Sequence, residues 1–405
     1  MPNQPHHKQH QADHDTTVAS QASNEYPSLP KDDTLGRENN NAETNSALSN
    51  VTELFTLAHC VLAQPLETSR LLARGINQST EQILGQGFNS ERDIADQSNK
   101  VILVTGGNGG LGKQVISQLA RHRPKRIYLT ARNEAKAKDA IDSIQSELAL
   151  EAKEGGGGGG DEGISTTTDI RYIQLDLASF KSIRAAAAFF IEDCDRLDTL
   201  ILNAGIMGLP PLTTEDGYEI QFGTNYMGHF LLTQLLLPTL QRTAKEVQPD
   251  VRVLSISSIG HHMAPLPPSL LKVVKSTPRL LKCNRWTRYG VSKAANILFA
   301  AELARRYPEI KSVAVHPGVI LTALYDSGRA SNFIIRHGIH FMKLFAASER
   351  KGAWNHIWAA GVAGDQLVSG EYYTPIGVKG WGNPFVHDET AGRDLWEWTE
   401  RELNN

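Results

Sequence analysis

Val101-Ile-Leu-Val-Thr105-Gly-Gly-Asn-Gly-Gly110-Leu-Gly-Lys-Gln-Val-Ile116 runs from five residues of strand character through a glycine-rich turn into a helical pattern. The spacing is T-G-x-x-x-G-x-G, with glycines at Gly106, Gly110 and Gly112 and with Asn108 and Leu111 between them. Glycine at such positions permits a tight turn, lets a pyrophosphate approach main-chain N–H groups at a helix N-terminus, and lets the helix pack close to the strand. A plain strand-to-helix turn is the competing reading of this stretch alone. The strand and helix series downstream of Ile116 favours a dinucleotide.

Outward from that stretch, short β-branched runs alternate with longer helical ones, as expected of βαβ units and a parallel sheet. Strands are predicted at Val101 to Thr105, Arg126 to Thr130, Ile170 to Leu175, Thr199 to Leu202, Val251 to Ile256, Lys311 to Val315 and Glu371 to Thr374. Helices are predicted near 111–122, 133–152, 179–193, 216–242 and 287–307. The fold class is therefore α/β, a Rossmann-type doubly wound parallel sheet of about seven strands, in a single domain spanning 99–405. Six consecutive glycines, Gly155 to Gly160, follow a helix and precede a strand. That order is the reverse of a phosphate loop, so 154–168 is predicted to be a flexible insertion away from the ligand crevice.

Before this domain, only 11 of the first 50 residues are hydrophobic against 40% for all 405, which predicts a disordered polar tail over 1–50. Its histidines, His6, His7, His10 and His14, are read as solvated filler rather than metal ligands. Residues 51–98 regain helical spacing at Leu54, Leu57, Ala58, Val61 and Leu62 and form an accessory segment. A net charge of -3 argues against a nucleic-acid surface. The three cysteines are odd in number and widely spaced, so neither a disulfide framework nor a zinc site is expected. No stretch reaches the roughly 18 apolar residues of a membrane span. A peripheral membrane contact through 51–63 or 333–347 stays open, and the expected compartment is the cytoplasm, with membrane association as the alternative.

Candidate site residues fall where strands end. Arg132 follows the second strand, where an acid would select NAD by its ribose hydroxyl. A guanidinium there suits a 2′-phosphate instead, so NADP(H) is expected over NAD(H). Asp176, with Leu177 beside it, ends the third strand and offers an acceptor to an adenine amino group; its bland role is a helix cap. Tyr289 and Lys293 stand at i, i+4 on one helix face, which places a cation beside a phenol whose ordinary pKa of about 10 is too high for acid/base work near neutrality. Ser257 and Ser258 end a strand, and Asn203-Ala204-Gly205 and Asn225 close earlier elements.

These motifs, in this order, resemble those of the short-chain dehydrogenase/reductase family, with a flavour of its retinol-dehydrogenase-like and fungal carbonyl-reducing members. The likeness runs from about Lys100 to Thr322. It departs at Leu202 and Ser255, where the family often has asparagine, in the glycine insertion and in the long N-terminal extension.

The resemblance implies an alcohol/carbonyl oxidoreductase using NADP(H). Ser258 would bond the substrate oxygen, Tyr289 exchange its proton, Lys293 lower the tyrosine pKa and hold the ribose, and Asn225 fix a water. Ser257 is the fallback for Ser258. Pro317, Gly318, Val319 and Thr322 would line the nicotinamide. Residues 323–369 correspond to a substrate lid, whose apolar members, among them Phe333, Phe341 and Trp354, suit a lipophilic or aromatic substrate. Family members often form homodimers or homotetramers. The rival reading is a catalytically silent nucleotide-binding scaffold or sensor that recruits a protein partner through its tail. An epimerase on this fold is disfavoured by the glycine spacing.

Overall fold

The computed structural model describes residues 87–154, 168–246, 250–318, 348–380 and 383–404. The tail 1–50, most of the accessory segment, nearly all of the glycine insertion and the first part of the lid lie outside the described residues.

The described chain runs β1 Val101–Thr105, α1 Gly110–Ala120, β2 Arg126–Ala131, α2 Glu134–Glu154, β3 Asp169–Gln174, α3 Phe180–Asp193, β4 Thr199–Leu202, α4 Gly228–Glu246 and β5 Val251–Ile256. It continues through α5 Arg285–Arg306, β6 Ile310–Val315, α6 Trp354–Gly361, β7 Tyr372–Thr374, β8 Val378–Lys379 and α7 Glu389–Asn404, with shorter turns between. The sheet order is β3-β2-β1-β4-β5-β6-β7-β8. Every pairing is parallel except β7 with β8. The eighth strand, only two residues long, has no counterpart among the predicted ones, because so short a run carries no period to read.

Both faces of the sheet are covered, which is why β1, β4 and β5 are buried along their whole lengths and read as mostly apolar runs, with Arg252 and Ser255 the polar members of β5. Alternate residues serve the two faces. Leu103, Leu200 and Val253 join α3, α4, α5 and α7 on one side, while Ile102, Val104, Ile201 and Leu254 join α1, α2 and α6 on the other. Burial of each such side chain contributes roughly 1.5–3 kcal/mol. Of the stretch 323–369 expected to form a lid, the described residues begin at Ser348. Ala353 and Ile357 are fully buried in the second core, and Trp354 packs against it and donates from Nε1 to Gln118 Oε1 at 3.1 Å. These apolar side chains of the stretch pack on the sheet. No helix among the described residues is long and apolar enough to cross a membrane.

Candidate active site

The chain goes from β1 to β2 and β3 on one side and then returns to β4 on the other, so the connections that leave the carboxyl ends of the paired strands β1 and β4 run in opposite directions along the sheet. A crevice opens at such a switch point. Its floor is bonded tightly: Asn203 Nδ2 donates to Thr105 O at 2.8 Å, and Thr105 Oγ1 accepts from Ala204 N–H at 2.9 Å. His229, buried on α4, completes the floor. Its Nδ1 meets Asn225 O at 3.0 Å and its Nε2 meets Thr105 Oγ1 at 2.9 Å. A carbonyl can only accept, so Nδ1 carries the proton and Thr105 O–H donates to Nε2. Burial holds the imidazole neutral, with its pKa lowered to about 3.

The glycine turn lies over this floor. Gly106 has φ +67°, which favours glycine. A Cβ on Gly112 would stand 2.2 Å from Gly106 O and 2.7 Å from Asn203 Nδ2, so α1 can approach the turn only without a side chain there. Gly109 and Gly110 differ, because a Cβ on either meets nothing within 4 Å. Open space at the N-terminus of an eleven-residue helix is what a phosphate group requires, and the residues fit a dinucleotide. Asn108 and Leu111 are half-buried in the turn, and Arg132 is exposed just beyond β2.

Asp176 is half-buried and its Oδ1 accepts from Ala178 N–H at 2.9 Å; the helix cap is Ser179 instead. Leu177 is a core residue, against whose carbonyl a Cβ on Gly228 would come within 2.4 Å. Gly205 faces two polar atoms, since a Cβ there would lie 3.3 Å from Asn225 Oδ1 and 3.4 Å from Lys293 Nζ. Pro317 and Gly318 follow β6, with Gly318 at φ +95°; Val319 and Thr322 lie outside the described residues.

Asn225 sits on a π-helical turn, Gly223–Met227, that precedes α4. Its Oδ1 accepts from Ile206 N–H at 2.8 Å, and both amide hydrogens are taken, by Ile206 O at 2.9 Å and Ser292 Oγ at 3.0 Å. The side chain is thus a strap between elements, and the water-binding role expected of it cannot run through its N–H groups. Ser292 in turn donates to Tyr289 O at 2.7 Å.

Helix α5 begins at Arg285, capped by Asn284 Oδ1, which accepts from the N–H groups of Trp286 and Thr287. Tyr289 follows one turn after Trp286 and is 5% exposed. Its ring lies against Gly260, where a Cβ would come within 2.8 Å of Tyr289 Cε1. Lys293 Nζ is 5.7 Å from the centroid of that ring and donates to Ile256 O at 2.9 Å. Burial lowers the Lys293 pKa to about 8. The two serines separate by the alternation at the strand end. Ser257 is buried with Oγ donating to Lys293 O at 2.8 Å, whereas Ser258 is half-buried and caps the turn that holds Gly260, accepting from Gly260 N–H at 3.1 Å. Ser258 keeps its O–H to donate.

Some contributors have no site role in the sequence reading. Thr105 and His229 form the floor, and Met207, Met263 and Trp286 form an apolar wall packed with Tyr289. His229 stands at i+4 from Asn225 and Trp286 at i−3 from Tyr289, so helical spacing carried the signal for two of them.

The short chain dehydrogenase family profile matches residues 161–265, and one described as polysaccharide biosynthesis protein matches 102–154, the stretch around the glycine turn. A short-chain dehydrogenase/reductase of Armillaria gallica is 36% identical over 314 residues, 77% of this chain and 92% of that protein. Human retinol dehydrogenase 11 is 33% identical over 333 residues, 81% of this chain and 89% of that protein. The NADP complex of RhlG from Pseudomonas aeruginosa has the same fold, with a TM-score of 0.51 at 22% identity over 70% of this chain and 98% of that one. The glycine turn, the β1/β4 crevice and this extent of likeness make the chain a member of the short-chain dehydrogenase/reductase family of oxidoreductases.

Proposed function

We propose that the protein is an NADP(H)-dependent oxidoreductase that interconverts a carbonyl and an alcohol on a lipophilic or aromatic small molecule, with Tyr289 as general acid/base. The observation that carries this reading is the buried Lys293 ammonium, 5.7 Å from the Tyr289 ring at the carboxyl edge of the sheet. A cation there favours the phenolate and brings the tyrosine towards useful acidity.

A nicotinamide, when bound, supplies or receives the hydride. The phosphates would be held by the turn from Gly106 to Gly112, the adenosine half by Arg132 and Asp176, the ribose by Lys293, and the nicotinamide end by Asn203, Ala204, Gly205, Pro317, Gly318, Val319 and Thr322. In the reducing direction Ser258 Oγ donates to the substrate oxygen and Tyr289 Oη delivers its proton as negative charge develops there. Asn225 and Ser292 hold α5 in register with the loop after β4, so that these donors meet one oxygen. The wall of Met207, Met263 and Trp286 favours an uncharged apolar substrate. The names of the retinol dehydrogenase relatives support a lipophilic one.

The test is a fluorescence titration with NADPH and NADH on the full chain and on Arg132→Ala, followed by assays on lipophilic ketones and aldehydes. Tight NADPH binding lost in the variant, with turnover, is the expected result. Preference for NADH overturns the role of Arg132. NADPH binding with no turnover across the panel favours the scaffold reading.

A further inference from the structure

The loop leaving Gly205 is held by side chains at successive residues. Asn225 takes both main-chain groups of Ile206. Gly208 N–H donates to Gln221 Oε1 at 2.8 Å, and Gln221 Nε2 donates to Arg285 O at 3.0 Å on the first turn of α5. Arg288 reaches from the same helix to two consecutive carbonyls, Leu209 O at 2.8 Å and Pro210 O at 3.0 Å, and to Glu219 Oε1 at 3.0 Å. Glu219 accepts with its other oxygen from Phe222 N–H at 2.8 Å, at the start of the helical run that carries Asn225. Met207 lies between these ties and packs with Trp286 and Tyr289.

The side chains of Arg288 and Glu219 are 2% and 0% exposed. Removing such a pair from water is costly, and a well-packed apolar pair is often as stable or more so. Stability therefore does not account for the choice. Geometry does: a planar guanidinium holds two carbonyls and a carboxylate in fixed directions at once, which neither an apolar side chain nor a lysine can do. Arg288 also precedes Tyr289 directly, so the loop is referenced to the helix that carries the general acid/base.

We infer that Arg288, together with Glu219 and Gln221, is a positioning clamp that fixes where Met207 sits against the Trp286–Tyr289 face, and through that placement selects which carbonyl compounds reach Tyr289. The compounds that fit are uncharged and apolar, flat or chain-like beside the carbonyl, because the groups packed around Tyr289 are two thioethers and an indole. This inference rests on the oxidoreductase reading proposed for the site.

The test compares the full chain with Arg288→Lys, which keeps the charge and loses the fork, and Gln221→Met, which keeps the volume and loses both ties. Each is assayed with NADPH on a bulky aryl ketone and on a short aliphatic aldehyde, with NADPH affinity and the pH profile of kcat measured alongside. The expected result is that kcat/KM for the ketone falls about tenfold relative to the aldehyde, mainly through KM, since a displacement of about 1 Å is enough for losses of this size or larger. NADPH affinity and the pH profile stay as in the parent. Equal losses on both substrates, or an unchanged ratio, overturn the clamp while leaving the oxidoreductase reading intact. Absence of turnover by the parent on either substrate overturns that reading and the clamp with it. If Arg288→Lys fails to fold, Gln221→Met carries the same comparison.

Discussion

Replacing Lys293 by Met is expected to stabilise the fold at neutral pH while abolishing turnover. The ammonium is 4% exposed, and the bond it donates goes to Ile256 O, which also accepts from Asn296 Nδ2 at 3.0 Å. Burial lowers its pKa from 10.5 to about 8. Between those two values the unfolded chain binds one proton more than the folded protein, so stability rises with pH across that window. The gain is complete above 10.5 and is lost as pH falls to 8. A shift of this size corresponds to about 3 kcal/mol charged against the fold at pH 7. Methionine removes that cost and gives up one hydrogen bond worth about 1 kcal/mol, and Ile256 O keeps its other partner. The net expectation is a cofactor-free variant more stable than the parent by about 2 kcal/mol at pH 7, with the advantage vanishing or reversing by pH 10.5. Urea unfolding of both proteins at pH 7, 9 and 10.5 measures it. A variant less stable at pH 7, or a difference that does not move with pH, would refute the argument that the buried charge is costly.

The same geometry sets the outcome of other substitutions. Tyr289→Phe should lower kcat by a factor of about 10³ or more and leave NADPH affinity nearly unchanged, as turnover and fluorescence titration will read. Ser258→Ala should lower kcat by about 10²-fold, whereas Ser257→Ala should cost about 1 kcal/mol of stability, through its bond to Lys293 O, with turnover largely kept. Equal effects on turnover would mean the two hydroxyls are wrongly assigned. Gly112→Ala places a methyl 2.2 Å from Gly106 O and should cost about 1–3 kcal/mol as well as cofactor affinity. Gly109→Ala meets nothing within 4 Å and should weaken NADPH binding at unchanged melting temperature; unaltered affinity there would remove the phosphates from that end of the turn.

The parallel sheet, the glycine turn and the Tyr289/Lys293 pair are legible because each is written in a short local period. A fully buried strand shows as an apolar run, a phosphate turn as spaced glycines, and a shared helix face as i, i+4. Most strand ends lie within one residue of their predicted positions for the same reason. The helix expected at 216–242 instead starts at Ile220 and passes through a π turn before α4, and nothing in its local pattern announces that extra residue per turn.

What the tertiary structure alone decided concerns groups whose role depends on what packs behind them. Ser257 and Ser258 are neighbours of the same type, and only the carbonyl of Lys293 behind the strand turns one inward and leaves the other at the crevice. Trp354 has the composition of a lid residue, yet it completes the core over α1 and α6, because an apolar side chain carries no record of which surface will cover it. Arg288 and Glu219 are 69 positions apart and look like ordinary surface charges in the chain. Their burial, their pairing and their hold on the loop beside Tyr289 arise only when α5 crosses the start of the helical run that leads to α4, since a partner so distant in sequence leaves no local pattern to read.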